Sequence, residues 1–103
     1  MNYIALFFAG VFLCNSLPHL CSGLCGAPFP TPFAKPRGVG DSSPLVNFLW
    51  GIANLLAGLA LLGRHPVALT PNLDMAALLC GVLLLGTHCS IHFGNVRRAK
   101  REP

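Results

Sequence analysis

The sequence predicts an all-α membrane protein with three transmembrane helices, and three observations carry that expectation. Only 10% of the 103 residues are charged and 53% are hydrophobic, whereas a typical soluble domain carries about 25% charge. A chain this short has much surface for its volume and needs polar groups to cover it. No Asp, Glu, Lys or Arg occurs from Met1 to Ala34, from Ser42 to Gly63, or from Met75 to Val96. Each window can hold the roughly 20 apolar helical residues that cross a bilayer core of about 30 Å. None has the charged outer face that a helix of a soluble bundle needs.

The first helix is expected over residues 3–24, kinked at Pro18, which removes a backbone donor. Met1-Asn2-Tyr3 carries no basic side chain and no Ala-x-Ala pattern follows, so this segment reads as a retained span and not a cleaved signal. Residues 26–42 are rich in Pro and Gly and read as a loop with no regular helix or sheet. Phe29 and Phe33 are placed in the interface there, and Lys35 and Arg37 at the headgroups.

The second helix has a clear start. Ser43 suits the N-cap and Pro44 the first helical position. It is expected over 44–62, with Gly63 as its stop. The third is expected over 72–93, ended by Gly94 and Asn95. This gives one three-helix domain, residues 1–96, and a basic tail, 97–103.

Orientation follows from the basic residues. Lys35 and Arg37 share a side with Arg97, Arg98, Lys100 and Arg101 if there are three crossings, and the opposite side has only Arg64. The basic side is expected in the cytoplasm and the N-terminus outside. The tail suits contact with anionic lipid, and no nucleic-acid partner is expected.

The polar residues inside the spans fall into stripes. On a helical wheel Asn47, Gly51, Asn54 and Gly58 share one face of helix 2, opposite Leu45, Leu49, Ile52, Leu56 and Leu59. Small and amide side chains of this kind let another helix approach and hydrogen-bond. Asp74, Ala77, Gly81, His88, His92 and Asn95 form a stripe on helix 3, and Asn15, His19 and Ser22 one on helix 1. Helix-packing contacts are therefore assigned to Gly51, Gly58, Ala77 and Gly81. If the stripes face one another, Asn15, His19, Asn47, Asn54, His88 and His92 form an intramembrane polar cluster. Such residues are functional candidates by default, although they also serve as plain interhelix bonds.

His88 and His92, four apart, have the spacing of two ligands on one helix face. With His19 they are the candidate ligands if the protein holds haem or a metal; no cofactor is the primary expectation. The five cysteines include no Cys-x-x-Cys pair and read as packing residues; in a eukaryotic host Cys25 would be a palmitoylation site. Asp74 suits the N-terminus of helix 3. There is no nucleophile–base constellation, carboxylate pair or phosphate loop, so no enzymatic activity is expected.

The pieces Asn15-Ser-Leu-Pro-His19, Phe29-Pro-Thr-Pro-Phe-Ala-Lys-Pro36 and Ser42-Ser-Pro-Leu-Val-Asn-Phe-Leu-Trp-Gly51 resemble a family of small bacterial membrane proteins to which no activity is assigned. The resemblance covers about the first half of the chain. It implies a bacterial inner-membrane location and transfers no site residue. The leading functional expectation is a non-enzymatic packing or accessory subunit of a homo-oligomer or a larger membrane complex. A small oligomeric transporter or channel, and a haem or metal protein, are the alternatives.

Overall fold

A computed structural model describes residues 2–101. It contains three helices, α1 (Tyr3–Leu24), α2 (Pro44–Arg64) and α3 (Leu73–Arg101), each long and apolar enough to cross a membrane. The molecule measures 49 × 24 × 20 Å, so its long axis exceeds a hydrocarbon core of about 30 Å. It has the architecture of a multi-pass membrane protein.

Local chemistry explains the helix starts. Asn2 accepts from the Ala5 amide at 3.1 Å, Ser43 from Val46 at 3.2 Å and Asn72 from Met75 at 2.8 Å. Each of these caps satisfies a donor left over in the first turn. Pro44 comes directly after its cap, at the first helical position, where its missing N–H costs nothing. α1 runs unbroken through Pro18.

α1 is the central helix. α2 packs on one side of it and α3 on another, while α2 and α3 scarcely touch. α2 runs antiparallel to α1. Leu13 of α1 lies over Gly58, and Leu20 over Gly51, where an added Cβ would come within 2.7 Å of either leucine Cγ. In return Gly23 of α1 lies against the backbone of Pro44 and Phe48. α3 runs parallel to α1. Gly10 meets the Leu78 carbonyl oxygen and Gly81 meets that of Phe7, each so closely that a Cβ would collide with it. Reciprocal glycines of this kind let two backbones touch and bring Cα–H groups against carbonyl oxygens.

The outer faces remain apolar. Leu45, Leu49, Leu56 and Leu59 on α2, Leu79, Leu83, Leu84 and Ile91 on α3, and Ile4, Phe8 and Leu17 on α1 are all exposed.

Three expectations need correction. α3 does not end at Phe93 but continues through Arg101. Gly94 and Asn95 do not break it, because the Val-Arg-Arg-Ala-Lys-Arg run after them is helix-favouring and its cations suit the C-terminal end of the helix dipole. At about 1.5 Å per residue its 29 residues span about 43 Å. Of the expected tail 97–103, the first five residues are thus the last turns of α3, and the final two lie outside the described residues. α2 likewise runs two residues past Leu62, through Gly63 to Arg64.

The loop, expected to lack sheet, holds a short antiparallel pairing of β1 (Phe29–Pro30) with β2 (Asp41–Ser42). Pro30 brings no N–H to such a ladder. Side chains reinforce it: the Thr31 and Ser42 hydroxyls bond at 2.6 Å. The Thr31 carbonyl also accepts from Ala34 and Gly38. Gly38 needs its glycine, with φ at +68° and the ring of His92 against it.

Candidate functional site

Asn47 is the centre of the polar structure. Its side chain is fully buried. The amide Nδ2 donates among three carbonyls, those of Phe29 at 2.9 Å, Ser42 at 3.2 Å and Ser43 at 3.1 Å. That fixes which way the amide points. Its Oδ1 therefore faces His19 Nδ1 at 2.8 Å. A carbonyl oxygen only accepts, so His19 carries a proton on Nδ1, and Nε2 of the neutral ring is left as an acceptor. One side chain thus ties α1, both strands of the loop hairpin and the start of α2 together.

Further along the same seam the Asn15 amide donates to Asn54 Oδ1 at 3.0 Å, and Asn54 donates to the Trp50 carbonyl at 2.8 Å. The four buried residues of α2 are Asn47, Gly51, Asn54 and Gly58. They all face α1 of the same chain, and Leu13 and Leu20 close over the two glycines, so this stripe lines no open path between α1 and α2.

α3 departs more from expectation. Gly81 is buried and His92 half-buried, but His88 and Asn95 are exposed, and Ala77 and Asp74 are only partly covered. The face turned inward is centred nearer Leu85, Cys89 and Val96 than the polar residues suggested. Backbone proximity at Gly81, not polarity, sets the rotation. His92 is held outside the helical interior: its Nε2 donates to the Gly38 carbonyl at 2.7 Å. His88 stacks parallel to His92 with ring centroids 5.8 Å apart. Among the described residues no three His, Cys, Asp or Glu groups come together in a way that could hold a metal ion. Cys14 faces Gly86, Cys21 and Cys25 are exposed, and all five cysteines are free.

At the basic end of the bundle the loop, α1, α2 and α3 enclose an open cleft of about 330 Å³. Asn15, His19, Trp50, His88 and His92 line it, with Arg37 and Thr31 from the loop and Leu85, Cys89 and Phe93 from α3. Aromatic contacts support its lining residues from behind. Phe29 meets His19 at 5.5 Å and Phe93 at 4.7 Å, and Phe33 covers Trp50 at 5.0 Å. Two buried polar side-chain atoms lack a hydrogen-bond partner among the described residues, Trp50 Nε1 and Asp74 Oδ1. Only Trp50 lines this cleft.

A neighbouring cleft of about 430 Å³ lies beyond Phe29 and Phe93. Arg97, Lys100 and Arg101 rim it, and its acid, Asp41, is paired with Lys100 at 3.0 Å.

The sequence therefore pointed to Asn15, His19, Asn47 and Asn54, which the structure joins in two hydrogen-bonded pairs, and to His88 and His92, which reach only the rim of the same cleft. It did not point to Trp50 or Gly10, and it placed Arg37 at the headgroups without joining it to the polar cluster. Trp50 had a usable signal: it lies one turn from both Asn47 and Asn54 and is the chain's single tryptophan. Comparison with protein-family models, with curated proteins and with solved structures finds no match.

Proposed function

We propose that the chain is a non-enzymatic accessory protein of a bacterial inner membrane, with its N-terminus outside and its basic end in the cytoplasm, acting as a subunit of a larger membrane assembly. The observation that supports this most directly is how the intramembrane polar groups are spent. His19 is bonded to Asn47 and Asn15 to Asn54, so the polar side chains on the α1–α2 seam hold the fold.

The α2 stripe is satisfied within the chain and makes no demand for a second one. The faces left for a partner are the exposed leucine surfaces of α2 and α3. Such surfaces suit either lipid or another apolar helix, and helices associate there by close packing. Six basic residues on one side of the spans against one on the other support the orientation.

Blue-native electrophoresis of protein extracted in mild detergent from its own membranes tests the reading. The expected outcome is a band well above the monomer that carries a co-purifying partner or further copies. A monomer with nothing attached, in detergents that preserve other membrane complexes, overturns it.

A further inference from the structure

The cleft beyond Phe29 and Phe93 straddles the edge of the apolar span. The uncharged window of α3 ends at Val96, and Arg97 is the first charge after it. Cys89, Ser90 and Phe93 line the cleft on the apolar side of that edge, and Arg97, Lys100 and Arg101 line it on the charged side. From Cys89 to Arg97 is about 12 Å at a helical rise of about 1.5 Å. One leaflet, half of a hydrocarbon core of about 30 Å, is deeper than that. The whole cleft therefore belongs to the leaflet at the basic end.

Two faces of α3 shape it. Phe93, Val96 and Lys100 turn toward the loop: the Phe93 and Phe29 ring centroids are 4.7 Å apart, Val96 is buried, and Lys100 pairs with Asp41 at 3.0 Å. Ser90, Gly94, Arg97 and Arg101 fall on the adjoining face at helical spacing, and all four are exposed. Arg97 and Arg101 stand one turn apart and make no ion pair among the described residues. Asp41, the acid that lines the cleft, is taken by Lys100. Three cations against one carboxylate leave two positive charges without compensation. Gly94 lines the cleft between Ser90 and the arginines, and an added Cβ there would meet nothing within 4 Å. Glycine weakens a helix interior, and no close packing offsets that cost here. Its effect is to leave the floor of the cleft bare just inside Arg97.

We propose that this cleft holds one anionic phospholipid of the leaflet at the basic end. Its phosphate sits between the Arg97 and Arg101 guanidiniums, and the start of an acyl chain lies on the bare surface at Gly94, beside Phe93. The forked donors of arginine suit a phosphate, and basic pockets at the cytoplasmic side are places where anionic headgroups settle. A soluble anion would leave the apolar wall of Phe29 and Phe93 unused, and a lipid without net charge would leave the two guanidiniums uncompensated. The inference rests on the membrane placement proposed above, but not on the existence of a partner protein.

Native mass spectrometry of the full chain in mild detergent tests it, with phosphatidylglycerol, phosphatidylcholine and glycerol phosphate as probes. The expected result is one phosphatidylglycerol retained per chain in preference to phosphatidylcholine. Arg97→Gln and Arg101→Gln each weaken retention about fivefold. Arg98→Gln removes the same charge from a residue that does not line the cleft, and retention stays close to that of the wild type. Gly94→Leu keeps every charge and fills the floor of the cleft from a position with room for a side chain, and it weakens retention as well.

Equal retention of the two lipids overturns the proposal. So does a loss with Arg98→Gln as large as with Arg97→Gln, which would mean diffuse attraction to a charged end. Indifference to Gly94→Leu overturns it too. Glycerol phosphate held as tightly as the lipid overturns it in favour of a soluble phosphate ligand. The substituted positions are exposed and both Gln and Leu favour helix. Where a variant still fails to fold, the preference of the wild-type chain between the two lipids decides. Lipid is counted on single chains, so a partnerless monomer would defeat the subunit reading and leave this one standing.

Discussion

The two seams that α1 makes are built from different materials. Against α2 it places Asn15 and His19 on Asn54 and Asn47, with leucines seated on glycines between them. Against α3 it places Gly10 and Gly81 on the opposite backbones, so close approach takes the part that amide pairing plays on the other side. α3 is tied further at its far end, through His92 to Gly38 and Lys100 to Asp41. Only Gly81 and Val96 of α3 are buried, against four residues of α2. Directional bonds hold the first seam in one register. The second depends on two backbones staying in touch, because dispersion forces fall away quickly as a gap opens. In a bilayer, where apolar burial gives helices little reason to meet, this difference predicts that α3 separates from α1 more readily than α2 does.

The largest effect expected is on the glycine seam. Gly81→Val puts a branched side chain where even a Cβ meets the Phe7 carbonyl oxygen. Overpacking against a backbone that cannot give should cost about 3 kcal/mol. The measurement is heat unfolding in detergent, together with the reactivity of Cys14, which faces Gly86 of α3. Faster labelling of Cys14 is expected as α3 lifts away. Labelling at the wild-type rate would mean that the glycine contact does not hold α3.

Asn47→Leu should come next, at about 2 kcal/mol. It leaves the His19 Nδ1–H and the carbonyls of Phe29 and Ser42 without their bonds, and an orphaned buried group costs about 1–3 kcal/mol. This change should loosen the loop while α3 stays on α1, the reverse of Gly81→Val. Hydrogen exchange over residues 29–42 reads it. If Asn47→Leu exposes α3 before the loop, the two seams are not independent and the contrast between them fails.

The smallest effect belongs to Lys100→Ala. The Lys100–Asp41 pair is 40% and 44% exposed, and solvated pairs of this kind contribute about 0–1 kcal/mol. No more than a small drop in the unfolding temperature is expected, and it should shrink further in high salt. A large loss would show that the end of α3 depends on this pair rather than on the glycines.

These differences also explain what the sequence could disclose. The α2 face was legible because its contrast is sharp: two asparagines and two glycines at helical spacing, with leucines opposite. The α3 face was less so. Its polar residues spread over a wide arc, and a polarity-based stripe includes His88 and Asn95, which the structure leaves exposed. The contact is chosen by the absence of a side chain at Gly81 and Gly10, and an absence among eleven glycines carries little signal. The loop hairpin was hidden for another reason. Its fixing bonds run to the side chain of Asn47, and no local pattern in a Pro-rich segment reveals a partner on another element. The end of α3 was misplaced because Gly94 and Asn95 have the composition of a stop, while the residues from Val96 to Arg101 favour helix.

The order of the hydrogen bonds along the chain has a consequence for synthesis. Every partner of Asn47 lies between His19 and Ser43, and the Asn15–Asn54 bond closes around that stretch. Nothing after Asn54 is needed to complete them. As the chain leaves the ribosome, the bonds of Asn47 and Asn54 that join α1, the loop and α2 can all form while α3, with its ties to Gly38 and Asp41, is still unmade. The third helix then arrives at a finished hairpin whose exposed α1 face already displays Gly10, and it docks as a guest on a surface prepared in advance.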